Sequence, residues 1–215
     1  MLSSNTVWER IERIQDELED VFFGYSIERY AALGIDEVKD RIVPWFESRG
    51  SGSAFLGQQL VYSITTAKQL LGRARNFGSI DQYIANLFEE KGRDAKQLAI
   101  AFGYRGLQTK LHGLGVPLAA EALKNLGYDV AKPDRHIKRA VGSFGWVQYR
   151  NWKDQARRSE PKPLDKNEFL QVMTVMEEFA QEVGETTTLV DNAIWMLCSQ
   201  NGQWLTNAEL RKLGN

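Results

Sequence analysis

The fold of this chain is decided by a short stretch, Leu111-His112-Gly113-Leu114-Gly115-Val116-Pro117. Two glycines separated by one apolar residue predict a tight turn with exposed backbone N–H groups. Pro117 suits the first turn of a helix, so a helix is expected directly after the turn. The N-terminus of a helix offers unpaired N–H donors and the positive end of the helix dipole. The stretch therefore predicts a helix–hairpin–helix over about residues 105–126 whose hairpin binds phosphate, although a plain corner between two helices is the alternative.

Outside this stretch the sequence has the periodicity of helices. Apolar residues recur every three or four positions, first at Val7, Ile11, Ile14, Leu18, Val21 and Phe22. Further helices are expected over residues 54–74, 79–87, 95–102, 105–110, 117–126, from 134 onward, 167–183 and 189–199. No stretch sustains the alternation of a strand. With 43% hydrophobic and 26% charged residues, the composition is that of a globular protein, and we predict an all-α fold.

The net charge of −1 conceals a strongly uneven distribution. Residues 101–158 contain 11 Lys and Arg against four Asp and Glu, whereas residues 1–50 contain six against 11. Binding to nucleic acid depends on local neutralisation of phosphates and not on the total charge. The basic central segment therefore makes a polyanionic partner plausible.

Composition also excludes several classes of protein. The single cysteine, Cys198, cannot form a disulfide within the chain and does not support a cysteine-ligated zinc or iron–sulfur site. The longest apolar runs are too short to span a membrane. The first residues lack the basic and apolar segments of a secretory signal, so we expect a cytoplasmic location.

The residues that follow the hairpin resemble a known superfamily. The segments Leu123-Lys124-Asn125-Leu126-Gly127 and Asp134-Arg135-His136-Ile137 are similar to a pattern of the archaeal-type 8-oxoguanine DNA glycosylases. Upstream, Phe55-Leu56-Gly57-Gln58-Gln59-Leu60-Val61 resembles a helix of the superfamily and of the 3-methyladenine DNA glycosylases II. Over about residues 51–145, the chain therefore resembles the helix–hairpin–helix (HhH-GPD) superfamily of DNA glycosylases.

This resemblance implies a fold and an activity. The fold would have two helical lobes, one of residues 51–135 and one of residues 1–50 with 136–215. The activity would be base-excision repair, hydrolysis of the bond between a damaged base, most simply a purine, and its sugar in double-stranded DNA. Asp134 occupies the family position of the essential aspartate, which stabilises the cationic sugar or activates water. Its alternative role is to cap the following helix, and both roles can hold together.

One position departs from the family pattern. Bifunctional members, which also cleave the DNA strand, carry a nucleophilic lysine two residues after the second glycine of the hairpin. Here that residue is Pro117, which has no amine. Lys110 and Lys124 are the nearest lysines, and neither fits the pattern. The sequence thus favours a monofunctional glycosylase without AP-lyase activity.

Other residues are expected around the substrate. The hairpin backbone over residues 111–117 would contact DNA together with four basic side chains, Lys132, Arg135, Lys138 and Arg139. A flipped base needs a pocket, usually lined by aromatic rings, and ordinary core packing is the alternative for each candidate. The pocket candidates are Gln58, Gln59, Tyr62, Tyr104, Trp146 and Tyr149.

Cofactor and partner expectations follow from the same resemblance. We expect no organic cofactor and no metal bound by side chains, although the hairpin carbonyls could bind a monovalent cation as in relatives. The partner would be damaged duplex DNA, and the protein a monomer. Two rival interpretations stay open: a non-catalytic helix–hairpin–helix protein that binds DNA or senses damage, and a purely structural helical domain.

Overall fold

The computed structural model describes residues 8–152, 158–162, 164–199 and 205–214 of the chain. The described residues form helices, turns and loops, and contain no strand. This confirms the all-α fold. The α-helices are α1 (Trp8–Glu12), α2 (Leu18–Val21), α3 (Ile27–Ala31), α4 (Ile35–Glu37), α5 (Val43–Ser48), α6 (Leu56–Ala74), α7 (Ile80–Glu90), α8 (Ala95–Gly103), α9 (Val116–Asn125), α10 (Arg135–Ser143), α11 (Lys166–Val183), α12 (Thr187–Ser199) and α13 (Asn207–Leu213). In the described part of the chain, no helix is both long enough and apolar enough to cross a membrane.

The chain forms two compact units. Unit 1 comprises Met1–Asn86 and Leu111–Leu114. Its core joins the short N-terminal helices to α6, because the same apolar face of α6 is covered by residues from α2 to α5. The buried members of this core are Ile14, Val21, Leu33, Val38, Ile42, Phe46, Leu56, Leu60 and Ile64.

Unit 2 comprises Leu87–Lys110 and Gly115–Asn215. Here α10 packs against α11, α12 and α13, while α8 packs against α9 and α11. The buried side chains of the larger cluster are Ala131, Ile137, Ala140, Val141, Val147, Val172, Met176, Ala180, Val190, Ile194, Cys198 and Leu210. This packing fixes α10, whose first turn follows Asp134.

These units differ from the two lobes predicted from the sequence. The sequence predicts that residues 1–50 join residues 136–215, whereas in the structure residues 1–50 share a core with α6. The N-terminal helix predicted from Val7 to Phe22 is also interrupted: α1 ends at Glu12, and a short 3-10 turn over Gln15–Glu17 precedes α2. Val7 lies outside the described residues. The helical turn expected over residues 105–110 is a loop closed by hydrogen bonds, including one from the Thr109 hydroxyl to the Ala101 carbonyl (2.8 Å).

Candidate active site and nucleic-acid interface

The hairpin of unit 1 is held by three contacts with α6. The backbone N–H of His112 donates to Gln69 Oε1 (2.6 Å), and the hydroxyl of Thr66 donates to the carbonyl of His112 (2.5 Å). The ring of Tyr62 meets the ring of His112 edge to face, with centroids 5.0 Å apart. Gly113 has a φ of +75°, a conformation that L side chains rarely adopt. The predicted glycine turn is therefore present, and α6 supplies its support.

Helix α9 of unit 2 begins where the predicted phosphate-binding helix was expected. Gly115 is its N-cap in an extended conformation, and Pro117 lies in its first turn. Among the described residues, no side chain caps this end of the helix. The N–H groups of the first turn are left for solvent or for an anionic ligand. The local geometry is thus that of an anion-binding helix N-terminus.

The hairpin also needs Gly103, a glycine that was not predicted as part of the site. A Cβ on Gly103, the last residue of α8, would lie 2.5 Å from both Cα and N of Val116, the first residue of α9. Only glycine allows the two helices of the motif to approach so closely at this point. Its position at the end of the helix before the hairpin was the available signal, but a glycine at a helix end is normally explained as a stop signal.

Asp134 is the N-cap of α10. Its Oδ1 accepts the N–H of His136 (2.7 Å) and the N–H of Ile137 (3.2 Å). In the part of the chain that the structure describes, Oδ2 has no hydrogen-bond donor. The capping role is therefore present, and it leaves the second carboxylate oxygen available to a substrate or to a water molecule. The catalytic role stays a prediction.

The four basic residues around Asp134 have different environments. Arg135 is exposed, and Lys132 is partly exposed with its Nζ 3.5 Å from Glu121. Arg139 is 2% exposed and donates to the Leu205 carbonyl. This burial contradicts the predicted phosphate contact of Arg139.

Lys138 is also inside unit 2. It is 9% exposed, donates to the carbonyl of Pro161 (3.3 Å) and lies 3.5 Å from a carboxylate oxygen of Glu160. Burial lowers the pKa of Lys138, and the nearby carboxylate of Glu160 opposes part of this shift. The predicted contact of Lys138 with phosphate is corrected in the same way, because its ammonium group is bound within the protein. Arg135 and Lys132 remain the candidates.

The histidine beside Asp134 is part of the interior. His136 is 5% exposed, and its ring meets Trp195 edge to face at 6.1 Å. Burial lowers the pKa of His136, against the raising effect of the Asp134 charge. Among the described residues, no group of three or more His, Cys, Asp or Glu side chains is arranged to bind a metal ion.

The pocket candidates of unit 1 lie on α6. Gln58 donates to the hydroxyl of Tyr62 (2.7 Å), whose ring supports the hairpin. Gln59 lines a mainly apolar cavity of about 400 Å³ together with the rings of Phe22 and Tyr30. Its Oε1 is buried and has no hydrogen-bond partner among the described residues. Their role in binding a base stays a prediction.

The pocket candidates of unit 2 are mostly packing residues. Trp146 stacks at an angle on Phe179, with centroids 4.8 Å apart, and packs against the large cluster of unit 2. Tyr149 donates its hydroxyl to the carbonyl of Lys138 (2.8 Å), and burial raises its pKa. These contacts match the alternative of ordinary core packing. Tyr104, the C-cap residue of α8, is partly exposed.

The fold and the local geometry agree with the resemblance found in the sequence. The structure has the all-helical fold, the glycine hairpin leading into a helix and the aspartate at a helix start on which that resemblance rests, and the chain is related to the helix–hairpin–helix DNA glycosylases. In particular, it is 25% identical over 198 residues to the 8-oxoguanine DNA glycosylase/AP lyase of Methanocaldococcus jannaschii, an alignment that covers 92% of this chain and 75% of the relative.

A solved structure shares this fold. The crystal structure of Methanocaldococcus jannaschii 8-oxoguanine glycosylase/lyase in complex with a 15mer DNA containing 8-oxoguanine aligns with a TM-score of 0.55 and 23% identity. The alignment covers 95% of this chain and 78% of that chain. At this identity the likeness establishes a common fold. No family model matches the chain.

Proposed function

We propose that the chain is a DNA glycosylase of base-excision repair. The observation that carries this proposal is Asp134, which is fixed by its Oδ1 at the start of α10 while Oδ2 stays available. A carboxylate in a glycosylase must be held rigidly yet keep one oxygen for the reaction. The related glycosylase of Methanocaldococcus jannaschii supports the same conclusion.

The proposed reaction hydrolyses the bond between the base and C1′ of deoxyribose. As this bond breaks, positive charge develops on the sugar ring, and the base leaves with the bonding electrons. The Oδ2 carboxylate of Asp134 stabilises that charge or takes a proton from the attacking water. Water supplies the hydroxyl group at C1′ and the proton that the base finally carries. The product is an abasic site.

The proposed substrate is double-stranded DNA with an oxidised purine, and 8-oxoguanine is the first lesion to test. The relative is named for that base. The N-terminus of α9 would bind a phosphate of the DNA backbone, and Arg135 and Lys132 would contact further phosphates. Such contacts fix the position of the protein on the duplex without reading its sequence. A function in DNA repair would place the protein, as a monomer, with the chromosome in the cytoplasm.

We further propose that the enzyme is monofunctional. Pro117 has no amine, and the ammonium of Lys124 is 2.5 Å from Asp191 with only 8% of the side chain exposed. The relative is named as an AP lyase as well as a glycosylase. The two proteins would differ in this step, because the lysine required for imine formation has no counterpart at position 117.

The monovalent cation expected at the hairpin remains a proposal. Among the described residues, the carbonyl of His112 accepts a hydrogen bond from the Thr66 hydroxyl. A carbonyl oxygen has two lone pairs, so this carbonyl can also bind a cation. A bound cation would add positive charge to the hairpin. No organic cofactor is part of the proposed reaction.

The proposal is tested with duplex oligonucleotides that each contain one damaged base, 8-oxoguanine among them. Incubation with excess protein, followed by alkali, converts each abasic site into a strand break. Wild-type protein is expected to excise at least one oxidised purine, and Asp134→Asn to lose excision by about 100-fold or more while it still binds DNA. Asparagine is an equally good N-cap, so the variant is expected to fold normally.

Two results would contradict the proposal. Equal single-turnover rates for Asp134→Asn and wild type would exclude the role of Asp134. Tight binding of damaged duplex without excision of any lesion would favour the non-catalytic damage-sensing alternative instead.

A further inference from the structure

The loop before Asp134 is tied to helix α12 by a buried carboxylate. Asp191 lies within α12, and its Oδ1 accepts the backbone N–H of Lys132 (2.9 Å). Its Oδ2 is 2.5 Å from Nζ of Lys124 on α9. Only 3% of the Asp191 side chain and 8% of the Lys124 side chain are exposed. One carboxylate thus links α9, α12 and the loop.

The bonded chain continues to Asp134 itself. The N–H of Asp134 donates to the carbonyl of Lys132 (2.7 Å), across the intervening Pro133. Both backbone groups of Lys132 are therefore hydrogen-bonded: its N–H donates to the Asp191 carboxylate, and its carbonyl accepts the N–H of Asp134. Since the carbonyl of Asp134 in turn accepts the N–H of Lys138 (2.9 Å), the aspartate is fixed at the start of α10.

The same loop and helix are joined by a second carboxylate. Asp129, in the loop, accepts the N–H of Thr187 (3.0 Å) and the N–H of Thr188 (2.8 Å) at the start of α12. Asp129 of the loop thus caps the start of α12, and Asp191 of α12 accepts an N–H of the loop. Two reciprocal contacts restrict both translation and rotation of the segment over residues 129–134.

We propose that Asp191 is a positioning residue for the reaction: by holding Lys132 it sets the place of the Asp134 carboxylate. The inference rests on the proposed function of Asp134. The ion pair with Lys124 orients Asp191, so that its other oxygen faces the Lys132 N–H. A catalytic group displaced by an ångström loses much of its effect even when the protein remains folded.

The hydrogen bond can be separated from the ion pair by two double variants. Lys124→Met/Asp191→Asn removes both charges but keeps an amide oxygen that accepts the Lys132 N–H. Lys124→Met/Asp191→Leu removes both charges and the acceptor, with a side chain of similar shape. The two variants carry the same charge, and they differ in whether the side chain at position 191 can accept the Lys132 N–H. Replacement of a buried ion pair by apolar groups is often tolerated, so both are expected to fold.

Three measurements are made on the full chain with a duplex that contains 8-oxoguanine or the best substrate of the panel. We expect the Leu variant to excise the base roughly tenfold or more slowly than the Asn variant in single turnover. Affinity for a duplex with a tetrahydrofuran abasic analogue should agree within about twofold, because the phosphate contacts are unchanged. Hydrogen exchange at the Lys132 amide should be fast in the Leu variant and slow in the Asn variant.

The outcomes separate this inference from the proposed function. An active wild type together with equal excision rates for the two variants would overturn the inference alone. The inference would also be overturned if the Leu variant excised more slowly than the Asn variant only in proportion to a loss of DNA affinity or of stability. That result is expected if Asp191 has a purely structural role. A wild type that excises no base would overturn the proposed function, and the inference would fall with it.

Discussion

Tyr62 packs so closely under Gly113 that no β-carbon fits between them. A Cβ on Gly113 would lie 2.8 Å from Cγ of the tyrosine ring, and closer still to its Cβ. Gly113 also has a φ of +75°. Gly115 differs in both respects: its φ is −87°, and the nearest neighbour of an added Cβ would be Cδ of Pro117 at 3.7 Å. The position of Gly113 therefore requires glycine, both for its backbone conformation and for lack of space, whereas the position of Gly115 can accept a side chain.

The first prediction compares Gly113→Ala with Gly115→Ala. Gly113→Ala should weaken binding to undamaged duplex about tenfold or more and destabilise the protein by about 1–3 kcal/mol, because the turn must open to admit the methyl group. Gly115→Ala should leave the turn intact and keep binding within a few-fold of wild type. Fluorescence anisotropy and chemical unfolding measure the two effects. If both variants bind like wild type, the hairpin does not contact the DNA backbone.

The second prediction tests the helix N-terminus with charge. At Gly115, both Asp and Asn can cap α9, so each should maintain or raise stability by a few tenths of a kcal/mol. Gly115→Asp adds a negative charge where a phosphate is proposed to bind, and should weaken DNA binding more than Gly115→Asn does. The difference should shrink as salt increases, because exposed charges are screened. Equal affinity of the two variants at low salt would argue against a phosphate at this end of α9.

The third prediction distinguishes the two arginines around Asp134. Arg135→Gln should reduce the slope of log affinity against log salt concentration by about one, since it removes one phosphate contact. Arg139→Gln should leave that slope unchanged and lower the free energy of unfolding by about 1–3 kcal/mol, because the Leu205 carbonyl and Asn207 lose a buried donor. A salt slope that falls for Arg139→Gln would restore the phosphate contact predicted from the sequence.

Local signals in the sequence were sufficient for most of the helices and for the hairpin. The hairpin depends on the conformation of Gly113 and on a helix that starts at Val116 with Pro117 in its first turn, and neighbouring residues determine both features. Likewise, Asp165 caps α11 with a reciprocal contact to Glu168, and Gly127 has the positive φ of a helix stop. Such features involve residues within a few positions of each other, so a single sequence reveals them.

The sequence did not reveal features that depend on distant residues. Arg139 lies in a polar segment with Arg135 and Lys138, which predicts a position at the surface. It is buried instead, because it donates to Leu205 and Asn207, more than 60 positions away. Asp191 was not singled out, since nothing near it in α12 indicates that it binds Lys132. Burial of charge is decided by such tertiary contacts, which spacing along the chain does not encode.

The fourth prediction concerns pH and the buried Asp191. Burial raises the pKa of Asp191 to about 6, with an opposing effect of Lys124 and a further raising effect of Asp134. The folded protein thus binds this proton more tightly than the unfolded chain does. Stability from this group is fully present below about pH 4 and is lost as the pH rises through about 6. The free energy of unfolding of wild type, relative to Lys124→Met/Asp191→Asn, should fall by up to about 3 kcal/mol between pH 4 and pH 7.

Chemical unfolding of both proteins at several pH values provides the measurement. The double variant has no carboxylate at position 191 and serves as the reference for every other titrating group. If the difference between the two proteins is independent of pH, or rises with pH, the pKa of Asp191 is not raised by burial.

The last prediction is that borohydride traps no covalent adduct between the wild-type protein and its preferred damaged duplex. A lyase forms an imine between a lysine amine and C1′ of the sugar, which borohydride reduces to a stable bond. Pro117 cannot form it, and Lys124 is held by Asp191 and by Asn192 (3.0 Å). Lys110 is the serious competitor, because burial and the charge of Arg105 lower the pKa of its amine and so favour its nucleophilic form.

The experiment therefore includes Lys110→Gln and Lys124→Met/Asp191→Asn, with a known bifunctional glycosylase as the positive control. Excision that yields abasic sites, with strand breaks only after alkali and no adduct, is the expected result for wild type and for Lys110→Gln. An adduct in the wild type that disappears in Lys110→Gln but persists in Lys124→Met/Asp191→Asn would identify Lys110 as the nucleophile and make the enzyme bifunctional. In that outcome the amine that attacks C1′ would come from Lys110, before the hairpin, and not from position 117, where this chain has a proline.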